Sequence, residues 1–397
     1  MIKKAVNRIK NTLRSALFTD QYHDAPLPSK KIILLYNQHG KKIFRDKKKL
    51  IAAKNLLKSG KIRVIIPTYE EHRLGAIYDV LSYFSKIIEN KNILIIDADS
   101  KDKTSTYVKK LGYHVIVQHC IEECLDLNRI ALDFKIEIPL RQGKGKTLLL
   151  TNIYQKLNYV KDHVKFNLYS DADIYNPCKF NHAEYLAWVA SRYEPEKLLE
   201  VKAAQHNRNN QSVMNVLGIL QASNEVINDY YQVIREMIWP LTGQVMRSIQ
   251  LVNAVPNTLG FSTEMVVNLA VVDFMKLWDM KSAQIEISTR CQDSKNSDTK
   301  ETCMMTGIGT TLFAMNEIWF KKGIHLINAK QQNYSELNQY LKFLEENSEK
   351  GFFASVIHEA TRPNEIIRLP LDRLLPSVNY LINNGYVDVK KVQSLIS

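Results

Sequence analysis

Apolar runs separated by segments of helical periodicity predict a series of strands and helices between residues 61 and 204. Five of the runs are typical of buried strands, and they read IRVIIP, NILIID, YHVIVQ, KFNLYS and LLEVKAA. Helical patterns such as GAIYDVLSYFSKII and TLLLTNIYQKL stand between them. Strands that alternate with helices predict an α/β fold with a mostly parallel sheet and helices on both faces.

The pattern changes toward the C-terminus, where helical periodicity prevails and one strand-like run, AQIEIS (283–288), interrupts it. We therefore predict an α/β domain over residues 61–300 and a helical C-terminal subdomain over 301–397. No run of about 20 apolar residues occurs, so the sequence predicts no transmembrane helix.

A basic N-terminal extension is predicted over residues 1–60. Its first 18 residues place apolar side chains at helical spacing, at Ile2, Val6, Ile9, Leu13 and Leu17, and basic side chains on most of the other side. Such a basic amphipathic helix can pack on its own protein, contact an anionic membrane surface or act as a targeting peptide. The pattern leaves these three alternatives open.

Nearly all of the excess positive charge lies in this N-terminal part. Residues 1–63 hold 17 Lys and Arg against three Asp, a net charge of +14, and because the whole chain carries +13 the remainder carries −1. A nucleic-acid enzyme would more often carry basic charge along its cleft, so we expect no nucleic-acid partner. The five cysteines form no CxxC pair, which favours reduced thiols in a cytoplasmic compartment.

Polar clusters follow three of the predicted strands, at PTYEE (67–71), DADS (97–100) and DAD (171–173). In parallel sheets ligands bind beyond the carboxyl ends of the strands, which places the three clusters at one edge. Two carboxylates at i and i+2, as in Asp171 and Asp173, can hold Mg²⁺ or Mn²⁺ together with the oxygens of a diphosphate. The alternative is that these residues cap the helices that follow.

The segment GKGKT (143–147) is similar to a P-loop but lacks its first glycine, because Leu140 stands where G-x-x-x-x-G-K-[ST] requires one. The turn still suits a ligand. Its two glycines let the backbone approach a bound group, and Lys144 can reach a phosphate as a mobile point charge.

Taken in order, IPTYEE, IIDADSKDKT, RQGKGKTLLL and YSDADIYNPCKF resemble the nucleotide-sugar domain of GT-A (Rossmann-like) glycosyltransferases. LEVKAA, the stretch from LTGQVMRSIQ to GFSTEMVVNLAVVDF, and AQIEISTRCQ resemble later segments of the retaining group that includes glucosyl-3-phosphoglycerate synthase and mannosylglycerate synthase. The resemblance covers roughly residues 61–310.

The resemblance implies a role for particular positions. The nucleotide-sugar would be bound by Pro67, Thr68, Glu71, Ser100, Lys144, Asp171, Ala172 and Phe261. Asp171 and Asp173 would hold the Mg²⁺ or Mn²⁺ cofactor. Catalytic roles fall on Asp173, Glu264 and Arg290.

One departure concerns the metal, since the family supplies a histidine where this chain has Gln292. An amide oxygen can ligate Mg²⁺ or Mn²⁺ but lacks the imidazole that suits softer metals. The acceptor-binding residues match poorly, and the candidates for that role are Lys202, Thr242 and Arg208.

We expect a metal-dependent hexosyltransferase that uses a donor of the UDP-glucose or GDP-mannose type and a small or phosphorylated acceptor, with retention. Three alternatives stay open, namely an inverting polyprenyl-phosphate-type sugar transferase at a membrane, a non-catalytic binding protein on a decayed GT-A fold, and a nucleotidyltransferase. We expect a cytoplasmic location, with peripheral membrane contact through residues 1–18 as an option. The sequence leaves the oligomeric state open.

Overall fold

A computed structural model of the chain describes part of its length in detail. The described residues are 32–35, 46–140, 143–159, 163–205, 230, 233–234, 237, 240–287, 292–293, 298–347 and 372–395. The predicted amphipathic helix over residues 1–18 therefore lies outside these ranges. The sequence also predicts a helical pattern over SVMNVLGILQASNEVINDYYQVIREMIWP, which ends at Pro240 and lies largely outside them.

The strands of the described residues are numbered in chain order. They are β1 (Ile32–Leu35), β2 (Ile62–Thr68), β3 (Ile93–Asp97), β4 (His114–Val117), β5 (Phe166–Tyr169), β6 (Ile174–Tyr175), β7 (Leu198–Gln205), β8 (Val245–Ser248), β9 (Asn257–Thr258), β10 (Lys281–Ile287), β11 (Gln292–Asp293) and β12 (Leu374–Leu375).

The α-helices of the same residues are α1 (Lys47–Lys58), α2 (Ala76–Ser85), α3 (Thr104–Lys110), α4 (Gln118–Glu122), α5 (Leu127–Phe134), α6 (Lys144–Asn158), α7 (Pro177–Phe180), α8 (His182–Ala190), α9 (Ile249–Ala254), α10 (Thr263–Leu277), α11 (Asp298–Ile318), α12 (Gln331–Glu346), α13 (Val378–Asn383) and α14 (Val389–Ser394). None of the described helices is both long enough and apolar enough to cross a membrane.

Side-chain oxygens cap the first turns of several of these helices. Asp46 accepts from the backbone N–H groups of the first turn of α1, and Ser248 accepts from Leu251 N at the start of α9. Asp388 does the same for α14. Each cap satisfies backbone donors that have no partner within the helix, and so fixes where the helix begins.

The main sheet has eight strands in the order β1-β10-β7-β8-β5-β2-β3-β4. Neighbouring strands are parallel except around β8, which runs antiparallel to both β5 and β7. The prediction of a mostly parallel α/β sheet is confirmed. Because β8 is reversed, its amino end lies at the same edge as the carboxyl ends of its two neighbours.

The two faces of the sheet bury separate hydrophobic clusters. Along β2, Ile65 belongs to one cluster, whereas Val64 and Ile66 belong to the other. A strand covered on both faces needs apolar residues at consecutive positions, which explains the uninterrupted apolar run of β2. The predicted placement of helices on both faces is therefore confirmed.

The helices after residue 300 pack into the first of these clusters. Trp319, Leu341 and Leu381 are buried there together with residues of α6 and α10. The short strand β12 also pairs antiparallel with β9. Residues on both sides of the predicted boundary at residue 300 thus share one hydrophobic core.

The described parts of the predicted N-terminal extension pack on the main body. β1 pairs in parallel with β10 and forms an edge of the sheet. Ala53 and Leu57 of α1 are buried in the second cluster, where the helix packs beside α8. The apolar run IILL was short and surrounded by basic residues, so its strand was missed.

Candidate functional site

Four polar segments meet at the carboxyl edge of the sheet. Three follow the ends of β2, β3 and β5, as predicted. The fourth precedes β8, whose first residue, Val245, pairs with Tyr169 at the end of β5. The turn at 242–244 therefore lies beside the DAD segment, a neighbour that the sequence alone did not indicate.

Lys144 lies between two carboxylates at this edge. Its Nζ donates to Asp171 Oδ1 at 2.9 Å and to Glu264 Oε1 at 2.7 Å. The three side chains come from the first turn of α6, the loop after β5 and the first turn of α10. Three residues far apart in the sequence, each predicted to be functional, thus form one hydrogen-bonded cluster.

The charge of Lys144 is held in place by these partners. Burial of the ammonium group acts to lower the pKa of Lys144, but the carboxylates of Asp171 and Glu264 together outweigh it, so the pKa is raised above its usual value. Lys144 therefore stays protonated at neutral pH. The cluster holds one cation and two carboxylates, so its excess negative charge suits a metal ion.

The turn before β8 approaches Asp171 closely. Gln244 Nε2 donates to Asp171 Oδ2 at 3.0 Å. Gly243 is so near that a Cβ atom at this position would stand 1.9 Å from the same oxygen. Only glycine permits this approach. The sequence contains a signal for this approach in the small residues of the turn LTG (241–243), but it does not identify Asp171 as the spatial partner.

One pocket is built around this cluster, and five of the predicted residues line it, namely Pro67, Lys144, Asp171, Thr242 and Glu264. The remaining lining residues are Leu148, Tyr169, Ser170, Gly243, Val245 and Arg247. Gly243, Gln244 and Arg247 were missed as individual site residues, and all three belong to β8 or to the turn before it.

The predicted nucleotide-binding loops are joined through buried Asp97. Its carboxylate accepts from Thr68 Oγ1 at 3.0 Å, Ser100 Oγ at 2.5 Å and Ser100 N at 3.1 Å. Burial raises the pKa of Asp97, although hydrogen bonds from Ser100 and Thr68 oppose the rise. The hydroxyls of Thr68 and Ser100 are therefore engaged within the protein, where they fix the two loops to each other.

The second half of the first loop is held by the segment after DADS. Thr104 Oγ1 accepts from the backbone N–H groups of Glu71 at 3.1 Å and His72 at 3.0 Å, and donates to Asp102 at 2.5 Å. Glu71 is buried by this arrangement. The loop that was predicted to bind a nucleobase is thus fixed at its backbone.

A contact from the C-terminal segment fixes the turn that precedes Glu264. Asp372 accepts from Ser262 N at 2.6 Å and from the Ser262 hydroxyl, immediately before α10 begins. Gly260 makes room for this carboxylate, because a Cβ there would stand 1.5 Å from Asp372 Oδ1. Phe261 lies at the same turn and remains 37% exposed, which leaves its ring accessible to a ligand.

The DAD segment offers a partial set of metal ligands. Asp173 and Ala172 are buried, and β6 follows them directly. β6 pairs antiparallel with β11, which brings the backbone of Gln292 opposite Tyr175. Its side chain is outside the description. In the described part of the chain, no three His, Cys, Asp or Glu side chains are grouped to hold a metal.

Two carboxylates nevertheless fit the chemistry of the predicted cofactor. Mg²⁺ and Mn²⁺ favour carboxylate oxygens, and Mg²⁺ in particular is usually held by one or two carboxylates plus substrate phosphates. Asp171 and Asp173 supply such a pair, and the excess carboxylate beside Lys144 favours a cation there. The residues present therefore fit a hard divalent ion that is shared with a diphosphate.

Lys202, a predicted acceptor residue, does not line this pocket. Its side chain is 2% exposed, and Nζ donates to Asn268 Oδ1 at 2.5 Å and to the Pro240 carbonyl at 3.3 Å. Glu200 lies 3.6 Å away. Burial lowers the pKa of Lys202 while Glu200 opposes this. Lys202 thus supports the turn that carries Thr242.

The other acceptor candidate that is described, Thr242, lines the pocket while its hydroxyl donates to the Ala203 carbonyl at 2.8 Å. Arg208 and Arg290 lie outside the described residues.

Crystal structures of glucosyl-3-phosphoglycerate synthase from Mycobacterium tuberculosis are among the solved structures similar to this chain. The complex with Mn²⁺, uridine-diphosphate-glucose and phosphoglyceric acid is 19% identical, with a TM-score of 0.48, over 67% of this chain and 81% of that one. The complex with Mn²⁺ and uridine-diphosphate-glucose is 18% identical, with a TM-score of 0.49, over 71% and 86%.

A comparison with protein-family models found no match to the chain, and neither did a comparison with curated protein sequences. The α/β assignment given above rests on the strand order and pairing of this chain itself.

Proposed function

We propose that the chain is a metal-dependent glycosyltransferase that moves a hexose from a nucleotide-diphospho-sugar to an acceptor hydroxyl. The observation that carries the proposal is the placement of Lys144 between Asp171 and Glu264 at the carboxyl edge of the sheet. A cation beside two carboxylates, next to loops fixed for a nucleotide, suits a diphosphate and its metal ion.

Each residue of the cluster has a chemical role in the proposal. A divalent cation held by Asp171 and Asp173 would neutralise charge on the leaving diphosphate. Lys144 is protonated and binds a diphosphate oxygen, so it stabilises the same developing charge. Gln244 holds the Asp171 carboxylate in one orientation. Glu264 accepts hydrogen bonds from hydroxyls of the donor sugar.

We favour retention of the anomeric configuration. Inversion needs a positioned carboxylate base that takes the acceptor proton. Glu264 receives a hydrogen bond from Lys144 at 2.7 Å, so this carboxylate is engaged by a cation. The anomeric configuration of the product, read by proton NMR, checks retention, and an inverted product would favour the polyprenyl-phosphate-type alternative.

Donor transfer by the purified full chain tests the proposal directly. UDP-glucose and GDP-mannose are the donors to compare, each with Mn²⁺ or Mg²⁺. Phosphoglyceric acid and glycerol 3-phosphate, the acceptors named for the Mycobacterium tuberculosis structures, are suitable first acceptors. We expect transfer or donor hydrolysis that EDTA abolishes.

Asp173→Ala is expected to lose transfer and metal-dependent donor binding while it keeps its fold. Asp79→Ala, which removes an exposed carboxylate from α2, is the control and should retain both. Full activity of Asp173→Ala in EDTA would contradict the metal assignment. Donor binding without any turnover would instead favour a non-catalytic binding protein.

We also propose that residues 1–18 contact an anionic membrane surface. The support is the sequence pattern alone, with five basic residues each worth about 1 kcal/mol near such a surface. Deletion of residues 1–18 should lower binding to vesicles that contain phosphatidylserine, and it should leave transfer to a soluble acceptor intact. Equal vesicle binding by both proteins would contradict the membrane contact.

A further inference from the structure

Arg247 is a buried arginine in the wall of the pocket. Arg247 lies on the central strand β8, two residues after Val245, which is the first residue of that strand. The two side chains therefore lie on the same face of the sheet, and both residues line the pocket. Only 5% of the residue is exposed. Its guanidinium lies 5.6 Å from the centre of the Tyr169 ring. A guanidinium in such a place must find hydrogen-bond acceptors inside the protein or in a ligand.

The described residues supply too few acceptors for this guanidinium. Nε donates to Glu200 Oε2 over a long distance of 3.4 Å. Nη2 is buried and has no hydrogen-bond partner among the residues that the structure describes. An unsatisfied buried donor of a charged group is costly, so positions of this kind are maintained where a ligand or ordered water completes the bonding.

Arg247 also shares its carboxylate partner with a second cation. Glu200 is fully buried and lies 3.6 Å from Lys202 Nζ as well as 3.4 Å from Arg247 Nε. Within the described residues, these two cations share one carboxylate at close range. Lys202 has two further acceptors, in Asn268 and the Pro240 carbonyl, whereas Nη2 of Arg247 has none among the described residues.

We infer that Arg247 binds an anionic oxygen, from a phosphate or a carboxylate group, of the molecule that enters this pocket. Its planar fork of N–H donors matches both groups, and its one carboxylate partner among the described residues, Glu200, is shared with Lys202. The assignment builds on the proposed function. It adds a specificity-determining residue on β8, separate from the residues assigned to the donor and the metal.

Two sources can supply the anion, namely the diphosphate of the donor or an anionic group of the acceptor. Inorganic phosphate is a probe that represents both. Ligand binding raises the unfolding midpoint by mass action, so the midpoint measured against phosphate concentration gives an apparent Kd. Sodium chloride at matched ionic strength provides the baseline.

Arg247→Gln is the test variant, and Arg63→Gln is its matched control. Asn167 on β5 is the register partner of Arg63 on β2 and of Arg247 on β8. Both arginines are buried, but Arg63 does not line the pocket. A hydrogen bond between charged groups contributes enough that we expect the phosphate Kd to rise about tenfold or more in Arg247→Gln. Arg63→Gln should bind phosphate as the wild type does.

Arg247→Lys is a second test variant for the case that Arg247→Gln does not fold. It keeps the positive charge and lacks the planar fork of N–H donors. It should weaken phosphate binding, though less than Arg247→Gln. Phosphate Kd values that equal the wild type in both Arg247 variants would overturn the inference, and so would the absence of any phosphate effect on the wild type beyond that of chloride.

A further titration in saturating UDP and Mn²⁺ distinguishes the sources. Loss of the phosphate response there assigns Arg247 to the diphosphate, and persistence assigns it to a separate anion, as an acceptor would carry. Both results support anion binding by Arg247. No turnover is measured, so a chain that binds phosphate through Arg247 but transfers no sugar contradicts only the proposed function.

Discussion

Lys144 and Asp171 form a hydrogen-bonded ion pair of 2.9 Å that joins the first turn of α6 to the loop after β5. The pair occupies the position where a diphosphate and its cation would be expected beyond the strand ends. The carboxylate that would ligate a metal is therefore neutralised by the protein's own lysine. Ligand binding must redistribute these charges, because a metal ion at Asp171 competes with Lys144 for the same oxygens.

Lys144→Met should abolish donor binding and lower stability moderately. The substitution removes the cation shared by Asp171 and Glu264 and leaves two carboxylates facing each other across the pocket. We expect a loss of about 2 kcal/mol in the free energy of unfolding, since these side chains are partly solvated. Denaturant unfolding and calorimetric titration with UDP and Mn²⁺ measure the two effects.

Lys146→Met is the matched control for this variant. Lys146 lies two residues further along α6, is 3% exposed and pairs with Glu122 at 2.6 Å, but it does not line the pocket. Lys146→Met should also lower the free energy of unfolding, but it should leave UDP binding by the folded protein unchanged. Equal loss of UDP binding in both variants would show that Lys144 acts through the fold alone.

Gly243→Ala should impair both folding and metal binding through a steric effect on Asp171. The added methyl group would stand 1.9 Å from Asp171 Oδ2, so either the turn or the carboxylate must move. Overpacking of this kind costs about 1–3 kcal/mol. Thermal unfolding reports the stability, and Mn²⁺ titration in the presence of UDP reports the site.

Gly243→Ala in an Asp171→Ala background measures how much of its cost comes from the contact with the Asp171 carboxylate. Without the carboxylate, the methyl group meets open space on that side, and its cost should fall well below the cost in the wild-type background. A double-mutant cycle compares the two costs. Additive effects would show that Gly243 is required for another reason than its approach to Asp171.

The parallel strands could be predicted from the sequence because each is buried on both faces. Val64, Ile65 and Ile66 are fully buried at consecutive positions, so the strand reads as an uninterrupted apolar run. β8 was missed because it reads VMRS, with Arg247 in place of an apolar residue. The burial of that arginine depends on Glu200, 47 residues earlier, and no local pattern reveals such a pairing.

The candidate site was predictable to the same extent as the strands that carry it. Asp171 follows a recognisable strand, and the rule for parallel sheets placed it at the edge with the loops after β2 and β3. Gln244 reached the site only through β8 and was not predicted. The buried contacts of Lys202 with Asn268 and the Pro240 carbonyl were not predicted either, because they join residues far apart in the sequence.

Gln292→His tests whether β11 completes the metal site. The backbone of Gln292 lies opposite Tyr175, two residues after Asp173, and the sequence predicts that Gln292 replaces a metal-ligating histidine. Imidazole is a softer donor than an amide, so the substitution should tighten Mn²⁺ and Zn²⁺ binding more than Mg²⁺ binding. Calorimetric titrations with UDP present compare the metals, and identical curves for both proteins would exclude Gln292 from the site.

His182 lies at the start of α8 in a fully buried aromatic environment. The rings of Tyr83, Phe84 and Phe180 surround it, with centroids 5.5, 5.6 and 5.3 Å away. Neither ring nitrogen has a hydrogen-bond partner among the described residues. Burial lowers the pKa of His182 to about 3, although Asp171 opposes the change. The imidazole is thus neutral in the folded protein at neutral pH.

This burial should make the folded protein sensitive to mild acid. In the unfolded chain the histidine has a pKa near 6.5. Between that value and about 3 the unfolded state therefore binds one more proton than the folded state. The contribution of His182 to stability is present above pH 6.5 and declines as the pH falls, by roughly 1.4 kcal/mol per pH unit at most, until it levels off near pH 3.

His182→Phe should remove this dependence, because phenylalanine fills the aromatic environment and takes up no proton. We expect the free energy of unfolding of the variant, relative to that of the wild type, to rise steadily between pH 6.5 and pH 4 in urea titrations. The difference between the two proteins is the quantity to measure, because buried acids such as Glu184, whose pKa is raised by burial, contribute to the pH dependence of both proteins. A difference that is constant with pH would show that His182 is hydrated, or is protonated in the folded state, and would contradict the buried neutral imidazole.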